Sequence, residues 1–303
     1  MVDKFNRVVD LIQIEASGAC QFSCSHCGRY GLMNGNPLFP TEHLVRFIDA
    51  MSVVGLKRVR LIGGEPLLRP DILDLVTGLT SIRSCSASLS TNGKRLAEMA
   101  NGLADAGLSR VFLTLPTLDP GLFRKITGHD GIEEVKEGFA VARAKRMPVT
   151  IKMTVLSGVN DHEIENMVDW SLSNGLDIYL VEGIVPGGGR ITSDEIVQRL
   201  NKRYKLTRME GVAINNNPWK AEEHTGKIKI VTADARRSCE TCNRLWLSSS
   251  GRLALCSRFS SSIDLGSLFE EDPSDADLVQ FSAMLALNRP RGGECAAYSR
   301  QSL

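Results

Sequence analysis

No apolar run in the 303-residue sequence reaches the roughly 18 residues that a membrane helix needs, and no signal-peptide hydrophobic segment opens it. Net charge is also lacking: 36 Lys and Arg stand against 35 Asp and Glu, which leaves +1. The first absence argues against a membrane protein, and the second against a basic footprint for nucleic acid or an anionic membrane surface. With 43% hydrophobic and 23% charged residues, disordered and fibrous classes are excluded too. The expected setting is cytoplasmic, and the expected partner is a small molecule, with no nucleic acid and no membrane. Eight cysteines without a secretory signal read as metal or redox chemistry before disulfides.

Short β-branched apolar runs alternate with stretches of helical period. The runs are Leu11–Glu15, Arg58–Ile62, Ser86–Leu89, Arg110–Leu115, Val149–Leu156 and Asp177–Glu182. The helical patterns between them are Thr41–Val54, Pro70–Leu79, Arg95–Ala106, Gly131–Arg146 and Asp161–Asn174. Such alternation implies an α/β fold with a parallel sheet and right-handed crossovers. Six units are fewer than the eight that close a complete barrel, so the expectation is a partial, open (β/α)6 barrel. Thr41 and Asp161 read as helix caps, and Gly55 and Gly175 as helix stops. After Gly183 the pattern changes to a Pro/Gly-rich turn at Val185–Gly189 and a polar helical segment to about Tyr204. Short strands follow at Lys227–Val231, Leu245–Ser248 and Leu253–Cys256, then a helix at Ala276–Leu287. The expected division is a barrel over 1–187 and a smaller α+β extension over 188–303.

Cys20, Cys24 and Cys27 form C-x₃-C-x₂-C in the loop after the first strand, where βα loops of barrel folds build active sites. Iron–sulfur centres normally take four Cys, so three thiolates on a four-iron cluster leave one iron open to a chelating cofactor. The alternative is a Cys₃His zinc site completed by His26. A second trio, Cys239, Cys242 and Cys256, follows C-x₂-C-x₁₃-C without the far-end pair of a zinc ribbon, and reads as a second open cluster. A zinc site closed by Cys295 is the alternative there. Cys85, assigned to a strand, reads as a buried core thiol.

Small and polar patches close the later strands: Gly63–Gly64–Glu65–Pro66, Ser90–Thr91–Asn92–Gly93 and Thr114–Leu115–Pro116. Taken alone, the first is a tight turn before a helix. With the Cys trio upstream, the order resembles the radical S-adenosylmethionine (SAM) superfamily. That resemblance implies that Gly63, Gly64, Glu65, Thr91 and Thr114 hold SAM against the open iron of the first cluster. The expected extension at the C-terminus then carries the second cluster, for two 4Fe-4S clusters in all.

The order of motifs also resembles one family within it, GTP 3',8-cyclase, which opens molybdenum cofactor biosynthesis. The likeness runs from Val2–Asp3–Lys4–Phe5 through Leu118–Asp119–Pro120, Phe123–Arg124–Lys125–Ile126–Thr127–Gly128 and Gly158–Val159–Asn160–Asp161 to Cys242–Asn243–Arg244. It implies that a 5'-deoxyadenosyl radical takes the 3' hydrogen of GTP and that the sugar radical closes onto C8 of guanine. Arg58, Arg60 and Lys152 match the family's basic positions for the triphosphate, expected at the barrel mouth; without the family they could be ordinary solvated charges. Arg244 and Trp246 fall on the guanine side, beside the second cluster. The resemblance further implies an external electron donor such as flavodoxin or ferredoxin, and leaves room for a homodimer.

Three departures bear on the substrate. The family has Arg where this chain has Gln13, and Arg where it has Trp246. Its Gly–Gly tail is replaced by Tyr298–Ser299–Arg300–Gln301–Ser302–Leu303. An indole offers a stacking face where a guanidinium offers a fork of donors; Trp246 as a strand-borne core aromatic is the other reading. The substrates left open are GTP, another nucleotide or nucleoside-antibiotic precursor, and a peptide. A non-catalytic cluster scaffold is the remaining alternative.

Overall fold

The computed structural model describes residues 1–27, 37–183, 189–209, 218–232, 242–256 and 262–290. Its first half repeats strand and helix: β1 Leu11–Ser17, α1 Thr41–Val53, β2 Arg58–Gly63, α2 Ile72–Ser81, β3 Ser86–Thr91, α3 Leu96–Asp105 and β4 Arg110–Thr114. Two helices, α4 Pro120–Thr127 and α5 Ile132–Ala144, lead to β5 Val149–Val155, α6 Ile164–Ser173 and β6 Asp177–Glu182. Then come α7 Ser193–Asn201, β7 Leu206–Arg208, β8 Trp219–Ala221 and β9 Lys227–Val231. The last described elements are β10 Arg244–Leu247, β11 Arg252–Ala254, β12 Ile263–Asp264, α8 Leu265–Glu270 and α9 Asp275–Leu287.

The strands among the described residues join one open sheet in the order β12-β11-β10-β1-β2-β3-β4-β5-β6-β9-β8-β7. The six expected strands are consecutive and parallel. β10 adds in parallel beside β1, and β9 beside β6. The C-terminal half thus extends the barrel on both edges, and the open α/β barrel is present. The division expected after residue 187 falls at 184–188, outside the described residues. No helix among the described residues is long and apolar enough to cross a membrane.

Strand alternation separates two environments, because successive side chains face opposite sides. Ile12 and Ile14 of β1, Val59 and Leu61 of β2, and Ile151 and Met153 of β5 are fully or almost fully buried in the core under the helices. The opposite parity carries Gln13, Arg60 and Lys152 among apolar side chains such as Phe112 and Val181, and it faces the barrel interior, which holds a cavity.

Helix ends agree in part with expectation. Gly55 (φ +104) and Gly175 (φ +67) occupy the left-handed backbone at which helices stop. Thr41, however, is the first residue of α1, and its hydroxyl donates to Asp71 at 2.5 Å while accepting from Arg69, so it caps nothing. Asp161 accepts from the Gly158 N–H and closes a turn before α6, another bond than the expected cap. Cys85 lies just before β3 and is half-buried, where a fully buried strand position was expected.

Candidate active site

The barrel encloses a cavity of about 740 Å³. Gln13 (β1), Arg60 (β2), Phe112 (β4) and Lys152 (β5) face it, each at the inward parity of its strand. Tyr179 (β6), Lys229 (β9) and Arg244 and Trp246 (β10) complete that wall. No Asp or Glu lines the cavity among the described residues.

At the mouth, Cys20, Cys24 and Cys27 line the same space with Gly63, Gly64, Thr91 and Thr114. The two glycines let β2 end against the cysteine loop. A Cβ on Gly63 would lie 2.3 Å from the Ser17 carbonyl oxygen, and one on Gly64 2.2 Å from that of Ala19. Glu65 is fully buried and does not line the cavity. Its carboxylate accepts from Thr91 Oγ1 at 2.7 Å and from the N–H groups of Asn92 (2.8 Å) and Leu67 (3.0 Å). It brackets the ends of β2 and β3, and burial pushes its pKa up to about 7 despite those donors.

Helix α4 props the cysteine loop from below. Asp119 caps it by accepting from Leu122 N–H, and Gly128 ends it in the left-handed region. The Thr127 and Ile126 carbonyls then accept from Ser23 and Ser25 N–H. The motif at 118–128 is thus a structural support of the loop.

The cysteine loop fits an iron–sulfur cluster better than zinc. The Cys20 sulfur accepts from Phe22 N–H at 3.4 Å and Asn92 Nδ2 at 3.8 Å, donors suited to a cluster thiolate. Burial and the neighbouring Cys20 and Cys27 push the Cys24 thiol up to about 12, a repulsion that a bound metal centre would reverse. Yet among the described residues no three His, Cys, Asp or Glu side chains converge closely enough for a single ion. Thiolates around a multi-iron cluster stand farther apart than around one zinc. His26 lines the same space with a buried, unpartnered Nδ1.

Lys152 stands in register with Thr114 at the mouth, whereas Arg60, midway along β2, lies deeper in the barrel. Arg60 stacks on the Phe112 ring at 3.8 Å, and its Nε is buried without a partner. Lys229 lies 4.9 Å over the Tyr179 ring. Burial lowers the pKa of both, and that of Lys152. Arg58 departs from expectation: it starts β2 at the end away from the mouth, is half-exposed, and pairs with Asp10 at 2.8 Å. Gln13 sits between Arg60 and Trp246 in register, with its buried Oε1 unpartnered. Lys229 escaped sequence reasoning, although the pattern Lys-Ile-Lys-Ile-Val already places it opposite Ile228 and Ile230.

Because β10 runs parallel to β1, Cys242 lies before its start, at the barrel end opposite the first trio. β11 returns antiparallel and carries Cys256 to that same end. Buried Arg289 braces Cys242, donating to its sulfur at 3.3 Å, its carbonyl at 2.9 Å and Asp3 at 3.1 Å. Cys239 and Cys295 lie outside the described residues, as does the tail beyond 290. Three soft donors at one end, two at the other, and a cationic chamber between are what a two-cluster enzyme acting on an anion requires.

This fold and site define a radical SAM enzyme. The Radical SAM superfamily model matches residues 14–171, and the Molybdenum Cofactor Synthesis C model residues 187–294. The chain is 31% identical over 307 residues to the GTP 3',8-cyclase of Rhodopseudomonas palustris, covering 96% of this chain and 89% of that one. It is 31% identical over 294 residues to that of Pseudomonas entomophila, with 91% and 87% covered. SuiB of Streptococcus suis bound to S-adenosylmethionine shares the fold with a TM-score of 0.64 at 15% identity, covering 91% of this chain and 68% of that one. The chain belongs to the GTP 3',8-cyclase family of the radical SAM superfamily. Enzymes of this family use SAM and two 4Fe-4S clusters.

Proposed function

We propose that the chain converts GTP by 3',8-cyclisation, the first step toward molybdenum cofactor. The observation that carries this reading is the chamber itself, lined by cationic side chains with no acid among the described residues and by Cys20, Cys24 and Cys27 at its mouth, with Cys242 and Cys256 at the opposite end of the barrel. Cys20, Cys24 and Cys27 hold the first cluster; Gly63, Gly64, Thr91 and Thr114 hold SAM, and Glu65 positions that rim. When bound and reduced by an external flavodoxin- or ferredoxin-type donor, these groups supply a 5'-deoxyadenosyl radical for hydrogen abstraction. Cys239, Cys242 and Cys256 hold the second cluster. Arg60 and Lys152 take the triphosphate by charge-assisted hydrogen bonds. Arg244 and Trp246 face the guanine. Residues 1–187 form the SAM-cleaving unit and 188–303 the unit that closes the substrate chamber, in a cytoplasmic setting.

A second reading rests on Gln13 and Trp246. An amide with a buried unpartnered oxygen beside an indole suits a neutral, planar group that donates a hydrogen bond. Guanine is one such group, and any other nucleobase with an N–H donor fits the same wall, so another nucleotide processed by the same radical chemistry is the second reading. Two variants separate the parts of the proposal in anaerobic assays with reductant, SAM and GTP. Cys24→Ala abolishes 5'-deoxyadenosine formation, whereas Cys242→Ala retains it and yields no cyclised nucleotide. SAM cleavage by Cys24→Ala, or full cyclisation by Cys242→Ala, contradicts the assignment.

A further inference from the structure

Lys229 is the cation of the chamber to which the proposed function gives no part. Its position is fixed by strand parity: Ile228 is fully buried on the outer face of β9, so the next side chain turns inward. β9 and β10 are the strands added at the two edges of the six-stranded parallel core. Lys229 therefore reaches the cavity from one flank, and Arg244 from the other. In register, Lys229 stands opposite Tyr179, which stands opposite Lys152 on the next strand.

The groups around Lys229 do not neutralise it. Tyr179 from β6 offers a ring face, Lys152 comes from β5, Arg58 and Arg60 from β2, and Arg244 from β10. Asp177, the acid nearest Tyr179 in electrostatic effect, is paired with Arg110 at 3.4 Å. A half-buried ammonium among other cations costs stability unless something supplies counter-charge. An aliphatic residue at this strand position would avoid the cost, so the charge points to a ligand.

We propose that Lys229 is a specificity-determining residue that takes a phosphate oxygen of the substrate from the β9 side of the chamber, selecting a nucleoside polyphosphate over the nucleoside. This rests on the reading above that the substrate occupies this cavity. Burial and the nearby Arg60 and Arg244 hold the Lys229 pKa down to about 8. An anion beside it raises that value, so near pH 8 substrate binding takes up a proton.

The test is equilibrium binding to the full chain with both clusters reconstituted, at fixed ionic strength, using GTP, guanosine and inorganic triphosphate. Calorimetry at pH 8 in two buffers of different ionisation enthalpy measures the proton uptake. Lys229→Met weakens GTP and inorganic triphosphate about tenfold to a hundredfold, the size expected for one charge-assisted contact, and leaves guanosine unchanged. It also reduces the proton uptake, and Lys229→Arg restores most of the affinity. Unchanged triphosphate binding in Lys229→Met, or an equal loss for guanosine, overturns the proposal. If the wild type binds inorganic triphosphate through Lys229 but not GTP, the guanine reading fails while Lys229 keeps its role. If GTP binding survives Lys229→Met, the reverse holds. A wild type that binds neither GTP nor triphosphate overturns both.

Discussion

Glu65 shows how a residue can be legible in its position and not in its task. The motif implies a direct contact with SAM, but the carboxylate points away from the cavity into three donors. Burial raises its pKa from 4.5 to about 7. A raised carboxyl contributes stability that is fully present below the unfolded value and lost as pH rises through the folded one. Stability is therefore expected to decline from about pH 4.5 to 7 through this group. Glu65→Gln, which cannot ionise, should flatten that part of the profile when urea midpoints are compared across it. Parallel profiles for variant and wild type would contradict the shift. The cysteines were readable because soft ligands at short spacing need no tertiary context. Arg58 was assigned to the mouth by the resemblance alone, although it opens the run Arg58–Ile62 and so stands at the end away from the mouth.

At the scale of elements, the six parallel strands and their helices were legible to within a few residues, since apolar periodicity sets them directly. The short strands β7, β8 and β12 were missed, because two or three residues carry no period. Helix α4 was seen only as a motif, and its function as a prop emerges from the carbonyls at its end. Gly128 makes that support testable. It adopts φ +69, and a Cβ there would lie 2.1 Å from Ser23 Oγ in the cysteine loop. Gly128→Ala should cost about 1–2 kcal/mol from the left-handed backbone alone. The thermal midpoint should fall, and iron bound by the first trio should drop while the second cluster stays loaded. Unchanged iron content at both sites would contradict the role of α4.

For the whole molecule, the decisive feature is that two strands from the C-terminal half flank the barrel on both sides. Sequence reasoning separated this half as an extension, because register between distant strands leaves no local trace. The consequence is one chamber built by both halves, with Lys229 and Arg244 contributed late in the chain. Arg289 ties the last helix to Asp3 and to Cys242, so the two ends of the described chain meet behind the second cysteine cluster. The proposed function requires this chamber to present the sugar of GTP to the radical generated at its mouth. The most direct test is an anaerobic reaction of the reconstituted protein with SAM, reductant and GTP carrying deuterium at C3', read by mass spectrometry of the 5'-deoxyadenosine. The account predicts 5'-deoxyadenosine one mass unit heavier, formed together with a cyclised nucleotide. Unlabelled 5'-deoxyadenosine with GTP recovered intact would contradict it.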